Sequence, residues 1–229
     1  MTRPDERQTH PDLPAPARKP AGRVPADREV PVAFAGAAAD APSGALATAA
    51  EIPRADAPAR RAALEDVRAR VARGDTSGAL TRLDKLVAED ADDVPLLCER
   101  ATLFATLSRF DRADADLRRA AKLDEHNAQV FLAVGLVACK RARWRDALEP
   151  LREAIAAAPD TMLAHYYLGE ACNHVDDLPS ALGAFERAAA LDPSSWRSLH
   201  GMGVVLDRLG RGEEASEAHR RARDVRARD

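Results

Sequence analysis

The most constraining feature of this chain is a period. From Arg60 onward the sequence divides, without insertion or deletion, into windows of 34 residues: 60–93, 94–127, 128–161, 162–195 and 196–229. The twentieth place of every window is alanine: Ala79, Ala113, Ala147, Ala181 and Ala215. The eighth holds Val67, Ala101, Gly135, Gly169 and Gly203, and the twenty-seventh Leu86, Ala120, Ala154, Ala188 and Ala222. Small residues at fixed depth imply backbones in close contact. A large apolar residue at place 24 (Leu83, Leu117, Leu151, Phe185) fills the space beside them, until His219 takes that place in the last window. Such a chain folds as a stack of like units, each burying its apolar face against its neighbours.

The window boundaries carry helix punctuation. Asp93, Asn127, Thr161 and Ser195 stand at place 34, and all four types accept hydrogen bonds from the free N–H groups that open a helix. Pro159 and Pro193 stand two residues earlier, where proline cannot continue the preceding helix. A break is expected near place 15, at Gly74, Ser108, Ala142, Asp176 and Gly210, and Pro179 suits a first helical turn just after one of them. Asp56-Ala57-Pro58 reads as the start of the first helix. Pro150 falls inside a second helix and is expected to kink it locally, at under ~3 kcal/mol. Each unit is therefore helix, tight turn, helix.

The period, the small residues at places 8, 20 and 27 and the proline at place 32 closely resemble the tetratricopeptide repeat. Residues 128–195 carry the pattern best: Gly135, Trp144, Ala147, Leu151, Ala154 and Pro159, then Leu168, Gly169, Ala181, Phe185, Ala188 and Pro193. The first unit departs from it, with Arg70 where the family usually has Tyr and Ala91 where it has Pro. The resemblance implies an all-α fold, an α-solenoid of about five tandem helix-turn-helix repeats over 56–229 whose inner surface is lined by first helices. A stack of this kind needs polar ends. His219 and the arginines Arg220, Arg221, Arg223, Arg226 and Arg228 supply one, where positive charge also suits a helix C-terminus.

Composition separates the repeats from what precedes them. Ten of the fifteen prolines lie in residues 1–59 with a single aromatic, Phe34. Such a segment cannot bury enough apolar surface to offset the entropy of ordering it, so residues 1–55 are expected to be a disordered tail or linker. Over the whole chain a net charge of -3 gives no field that selects nucleic acid or an anionic membrane. No stretch approaches the roughly 20 apolar residues of a transmembrane helix. Cys98, Cys139 and Cys172 form no close pair, which disfavours a disulfide framework and points to a reducing, cytoplasmic setting.

Sites for chemistry are sparse. Gly201-Met202-Gly203 lacks the strand-turn-helix setting of a phosphate loop. His165, His174 and His200 contain no His-x3-His pair and have no cysteine at ligand spacing, so neither metal nor cofactor is expected. Asp92-Asp93, Asp176-Asp177 and Glu213-Glu214 lie at turns or helix starts, where capping and the helix dipole explain them. Trp144, among basic residues, occupies the family's aromatic place 17 rather than a base-stacking platform. The two-carboxylate clamp with which some of these repeats grip a chaperone tail cannot be assembled: place 9 reads Arg68, Thr102, Leu136, Glu170 and Val204.

The expected function is a non-catalytic scaffold or adaptor that binds a segment of another protein along the inner surface. Two alternatives stay open: a self-associating structural subunit, and an accessory subunit of an enzyme or secretion assembly. The family's groove places point to Tyr166, Tyr167, Glu170, Asn173 and His174 in the fourth unit and Arg197, His200 and Arg208 in the fifth. An apolar stripe of Leu132 and Leu136 adjoins them in the third. Tyr and Arg often anchor interfaces because they join large contact area to a polar tip.

Overall fold

The computed structural model describes residues 57–228. The tail expected over 1–55 and the cap expected at Asp56 lie outside these residues. Those described form ten α-helices and no strand. They are α1 (Ala57–Ala72), α2 (Thr76–Glu89), α3 (Val94–Thr106), α4 (Phe110–Leu123), α5 (Ala128–Lys140), α6 (Trp144–Ala157), α7 (Met162–His174), α8 (Leu178–Leu191), α9 (Trp196–Arg208) and α10 (Gly212–Arg226). Odd-numbered helices are the first of each unit and even-numbered helices the second. Within every unit the two helices pack on each other, and successive units pack together in turn, as an α-solenoid of tetratricopeptide type requires.

The turn inside every unit is built the same way. Gly74, Ser108, Ala142, Asp176 and Gly210 all have positive φ, from 57° to 79°. The following N–H reaches back five residues to the helix: Asp75 to Arg70 C=O, Arg109 to Phe104, Arg143 to Ala138, Asp177 to Cys172 and Arg211 to Leu206, at 2.8 to 2.9 Å. With a second bond from the left-handed residue itself to the carbonyl three back, this is a Schellman close, which satisfies carbonyls the helix end leaves free. Only two of the five turns use glycine.

Caps follow the sequence with one exception. The side chains of Asp93, Asn127 and Ser195 accept from Leu96, Gln129 and Ser198 N–H groups. Thr161 stands at the cap position of α7, is 8% exposed, and makes no side-chain capping bond. Asp75 and Asp177 cap the second helices α2 and α8, a use of place 16 that the boundary residues had not suggested. Pro150 sits inside α6, which runs unbroken from Trp144 to Ala157.

The core follows the register. The five place-20 alanines are all 0% exposed. A Cβ on Gly135 would come within 2.5 Å of Leu151 Cγ, and one on Gly169 within 2.9 Å of the Phe185 ring, so those glycines are the room the place-24 side chains occupy. Phe185 also lies against Gly201 of the next unit, and one large residue thereby joins two repeats.

Candidate functional site: the first-helix face of the third to fifth units

Side chains from three successive first helices converge here. α5 contributes Cys139 and Lys140, α7 contributes Tyr166, Tyr167 and Glu170, and α9 contributes Arg197. Their charges act on one another: those of Glu170 and Arg197 both reach Tyr166, and Arg197 helps hold Lys140 below the ordinary lysine range, after burial. The rings of Tyr166 and Tyr167 meet edge-on at 5.1 Å, and Tyr166 approaches Phe185 at 6.0 Å. Tyr166 is therefore anchored in the core while remaining partly accessible. Burial, with the nearby Glu170 charge, pushes its phenol well above the usual range.

Glu170 is the unusual member. It is half-buried and accepts no hydrogen bond from the described residues. Burial raises its carboxyl from 4.5 to about 7, because removing water penalises the charged form. Around neutral pH the group exchanges its proton and can either donate or only accept a hydrogen bond.

The remaining expected residues divide into three groups. Asn173 is held by Arg208, which donates to its backbone carbonyl at 2.7 Å and to its Oδ1, and also to Asp176. His174 is exposed and stacks on Trp144 at 3.7 Å, 5° from parallel, so the place-17 tryptophan holds a side chain of the next unit. His200 lies 5.2 Å from the ring of His219, which bonds Asp207 at 3.0 Å, and neither histidine is among the charges that act on the tyrosines. Leu136 is half-buried on α5. Leu132, grouped with it by sequence, is 2% exposed and packs in a cluster with Leu163 and Ala164, so the apolar stripe narrows to Leu136.

Residues considered for chemistry have structural partners. His165 Nε2 lies 2.8 Å from the Pro159 carbonyl, across a unit junction. The three thiols are buried, and burial pushes Cys98 and Cys139 up to about 12, far from a reactive thiolate. Among the described residues no group of three His, Cys, Asp or Glu side chains could hold a metal ion. None of the described helices is long and apolar enough to cross a membrane. Sequence reasoning missed the contribution of Lys140 and Cys139 to this cluster; both stood at groove places, but their residue types gave no signal.

A family model for the tetratricopeptide repeat matches residues 135–195 and 175–229. No curated protein matches the chain. Among solved structures, PilF of Pseudomonas aeruginosa is 21% identical over 75% of this chain and 78% of its own, with a TM-score of 0.63. MamA from Desulfovibrio magneticus RS-1 is 22% identical over 74% and 96%, with a TM-score of 0.57. YrrB, described as a TPR protein with an unusual peptide-binding site, is 19% identical over 71% and 84%, with a TM-score of 0.51. At these identities the likeness is one of fold. The sequence period, the repeated Schellman turns and the family match agree: residues 135–229 are tetratricopeptide repeats, and the described helices before them continue the same fold.

Proposed function

We propose that this protein is a non-catalytic adaptor that binds an extended or helical segment of another protein across the first-helix face of α5, α7 and α9. The observation that carries the reading is the convergence of Lys140, Tyr166, Tyr167, Glu170 and Arg197 from three units on one face. A partner crossing that face meets aromatic area, a half-desolvated carboxyl and cations, the composition from which interface anchors are usually drawn. YrrB, of like fold, is described as having a peptide-binding site. Three free cysteines suit a reducing compartment, and we propose the cytoplasm as the setting.

The test is capture of the partner from the native cell by the full chain, followed by binding measurements on single substitutions. Tyr166→Phe tests the hydroxyl without emptying the Phe185 contact, Glu170→Gln fixes a neutral group, and Asn173→Ala and Arg208→Ala remove the linked pair. Loss of about tenfold or more in affinity for at least one of these, with helicity unchanged, is the expected result. Parent-like binding by all four rejects this face.

A further inference from the structure

The opposite face, made by second helices, contains a groove of about 390 Å³ between α8, α9 and α10. Its floor is apolar: Met202, Leu206 and Ala218. Its rim carries four carboxylates, Glu186, Glu213, Glu214 and Glu217, and one cation, Arg221. Two of the carboxylates are already engaged, Glu214 by Arg211 through bonds of 2.7 and 2.6 Å and Glu217 by Arg220. Glu186 and Glu213 accept no hydrogen bond from the described residues. Arg211, whose charge acts on Glu186, is the residue committed to Glu214.

The repeat supplies its own precedent for what belongs there. The notch is framed by place 25 of one unit and places 7 and 23 of the next. Between the first and second units those places are Asp84, Arg100 and Asp116. There Arg100 donates to both oxygens of Asp116 at 2.8 Å and to Asp84 at 3.0 Å, so its guanidinium bridges the two carboxylates. Between the fourth and fifth units the same places are Glu186, Met202 and Ala218. The acceptor is kept, the internal arginine is replaced by methionine, and its bidentate partner by alanine. In the third and fourth units place 25 of the preceding unit is Arg118 or Arg152, so the vacant, acid-rimmed version is particular to the last pair.

We propose that this groove receives an arginine side chain from a partner protein, its guanidinium reaching Glu186 and Glu213 and its methylenes lying on Met202 and Leu206. A planar fork matches carboxylates better than a lysine ammonium does, and the long stem covers apolar floor. The site is separate from the first-helix face and does not depend on it.

The chain has three methionines, Met1, Met162 and Met202, which makes the test direct, since of the two described, Met162 and Met202, only Met202 lines the groove. The full-length protein, labelled with 13C at the methionine methyls, is titrated with the capped peptide Ala-Ala-Arg-Ala-Ala, its lysine analogue and its neutral citrulline analogue. The arginine peptide should shift the Met202 methyl saturably while Met162 stays still. The citrulline peptide should bind about tenfold more weakly or not at all, and Glu186→Gln with Glu213→Gln should weaken the arginine peptide by about the same factor. A Met202 resonance that stays fixed up to about 10 mM arginine peptide overturns the proposal, as does equal binding of citrulline or lysine. A Met202 shift on concentrating the protein without peptide assigns the groove to a second copy, and overturns it too.

Discussion

A residue with a Cβ in the left-handed region costs roughly 1–2 kcal/mol against the right-handed alternative. Ser108, Ala142 and Asp176 bear that cost in three of the five turns, and Gly74 and Gly210 avoid it. Ala142→Gly should therefore stabilise the protein by about 0.5–1 kcal/mol, the relief of strain exceeding the added freedom of the unfolded chain. Gly210→Ala should cost about 1 kcal/mol for conformational reasons alone, since a Cβ there meets nothing within 4 Å. Urea midpoints check both, and a fall for Ala142→Gly would contradict the turn geometry. Glu170 makes a second residue-scale prediction. Its carboxyl is raised in the fold from 4.5 to about 7, so the folded state holds a proton that the unfolded chain has released. Stability must then decline as pH rises between those values and stay lowered above pH 7. Glu170→Gln removes this slope, and at pH 8 it should be more stable than the parent by roughly 1 kcal/mol after allowance for solvent screening, with little difference near pH 4.5. Urea titrations at the two pH values read the effect directly.

At the scale of helices, the place-20 alanines decide spacing. Ala147 and Ala181 are both 0% exposed, so Ala147→Leu or Ala181→Leu should overpack the stack and cost about 1–3 kcal/mol. Arg152, 53% exposed and, among the described residues, paired with Glu149 at 3.8 Å, is the control, and Arg152→Ala should stay within about 0.5 kcal/mol. A change under a few tenths at both alanines would displace the register. Much of this level was legible in the sequence because a period repeats the same physical demand: alanine where helices touch, one large residue beside it, a break at place 15. What the pattern hid was context. Thr161 has the residue type of a cap but is buried without forming the bond, and Leu132 has a groove register but sits in the core. The tyrosines were visible as residues, whereas the desolvation of Glu170 depends on tertiary packing and leaves no mark on its own helix's sequence.

At the scale of the whole repeat array, the last described helix differs in character from the second helices before it. Along α8 the residues meeting the next unit are apolar: Leu182, Phe185 and Ala189, at places 21, 24 and 28, cluster with Val205, Leu206 and Leu199 of α9. In α10 the same places are Ser216, His219 and Arg223. His219 still fills the hollow over Gly203, where a Cβ would lie 2.6 Å from its ring, but it spends its polar edge on Asp207. The knob is kept for the inner contact and made hydrophilic for the outer one. Ser216 donates to the Gly212 carbonyl and His219 is paired with Asp207, yet covering them and the Arg223 guanidinium with a further unit would strip their water with little apolar gain, so this surface resists end-to-end addition. The triple variant Ser216→Leu, His219→Leu and Arg223→Ala restores the interior pattern and should make this surface of α10 adhesive. Sedimentation velocity should then show association that strengthens with protein concentration and persists in high salt, as apolar contact does. Arg220→Ala, on the same helix but outside those places, should leave the mass distribution of the parent. A triple variant that sediments like the parent would mean that polarity is not what keeps this surface from associating.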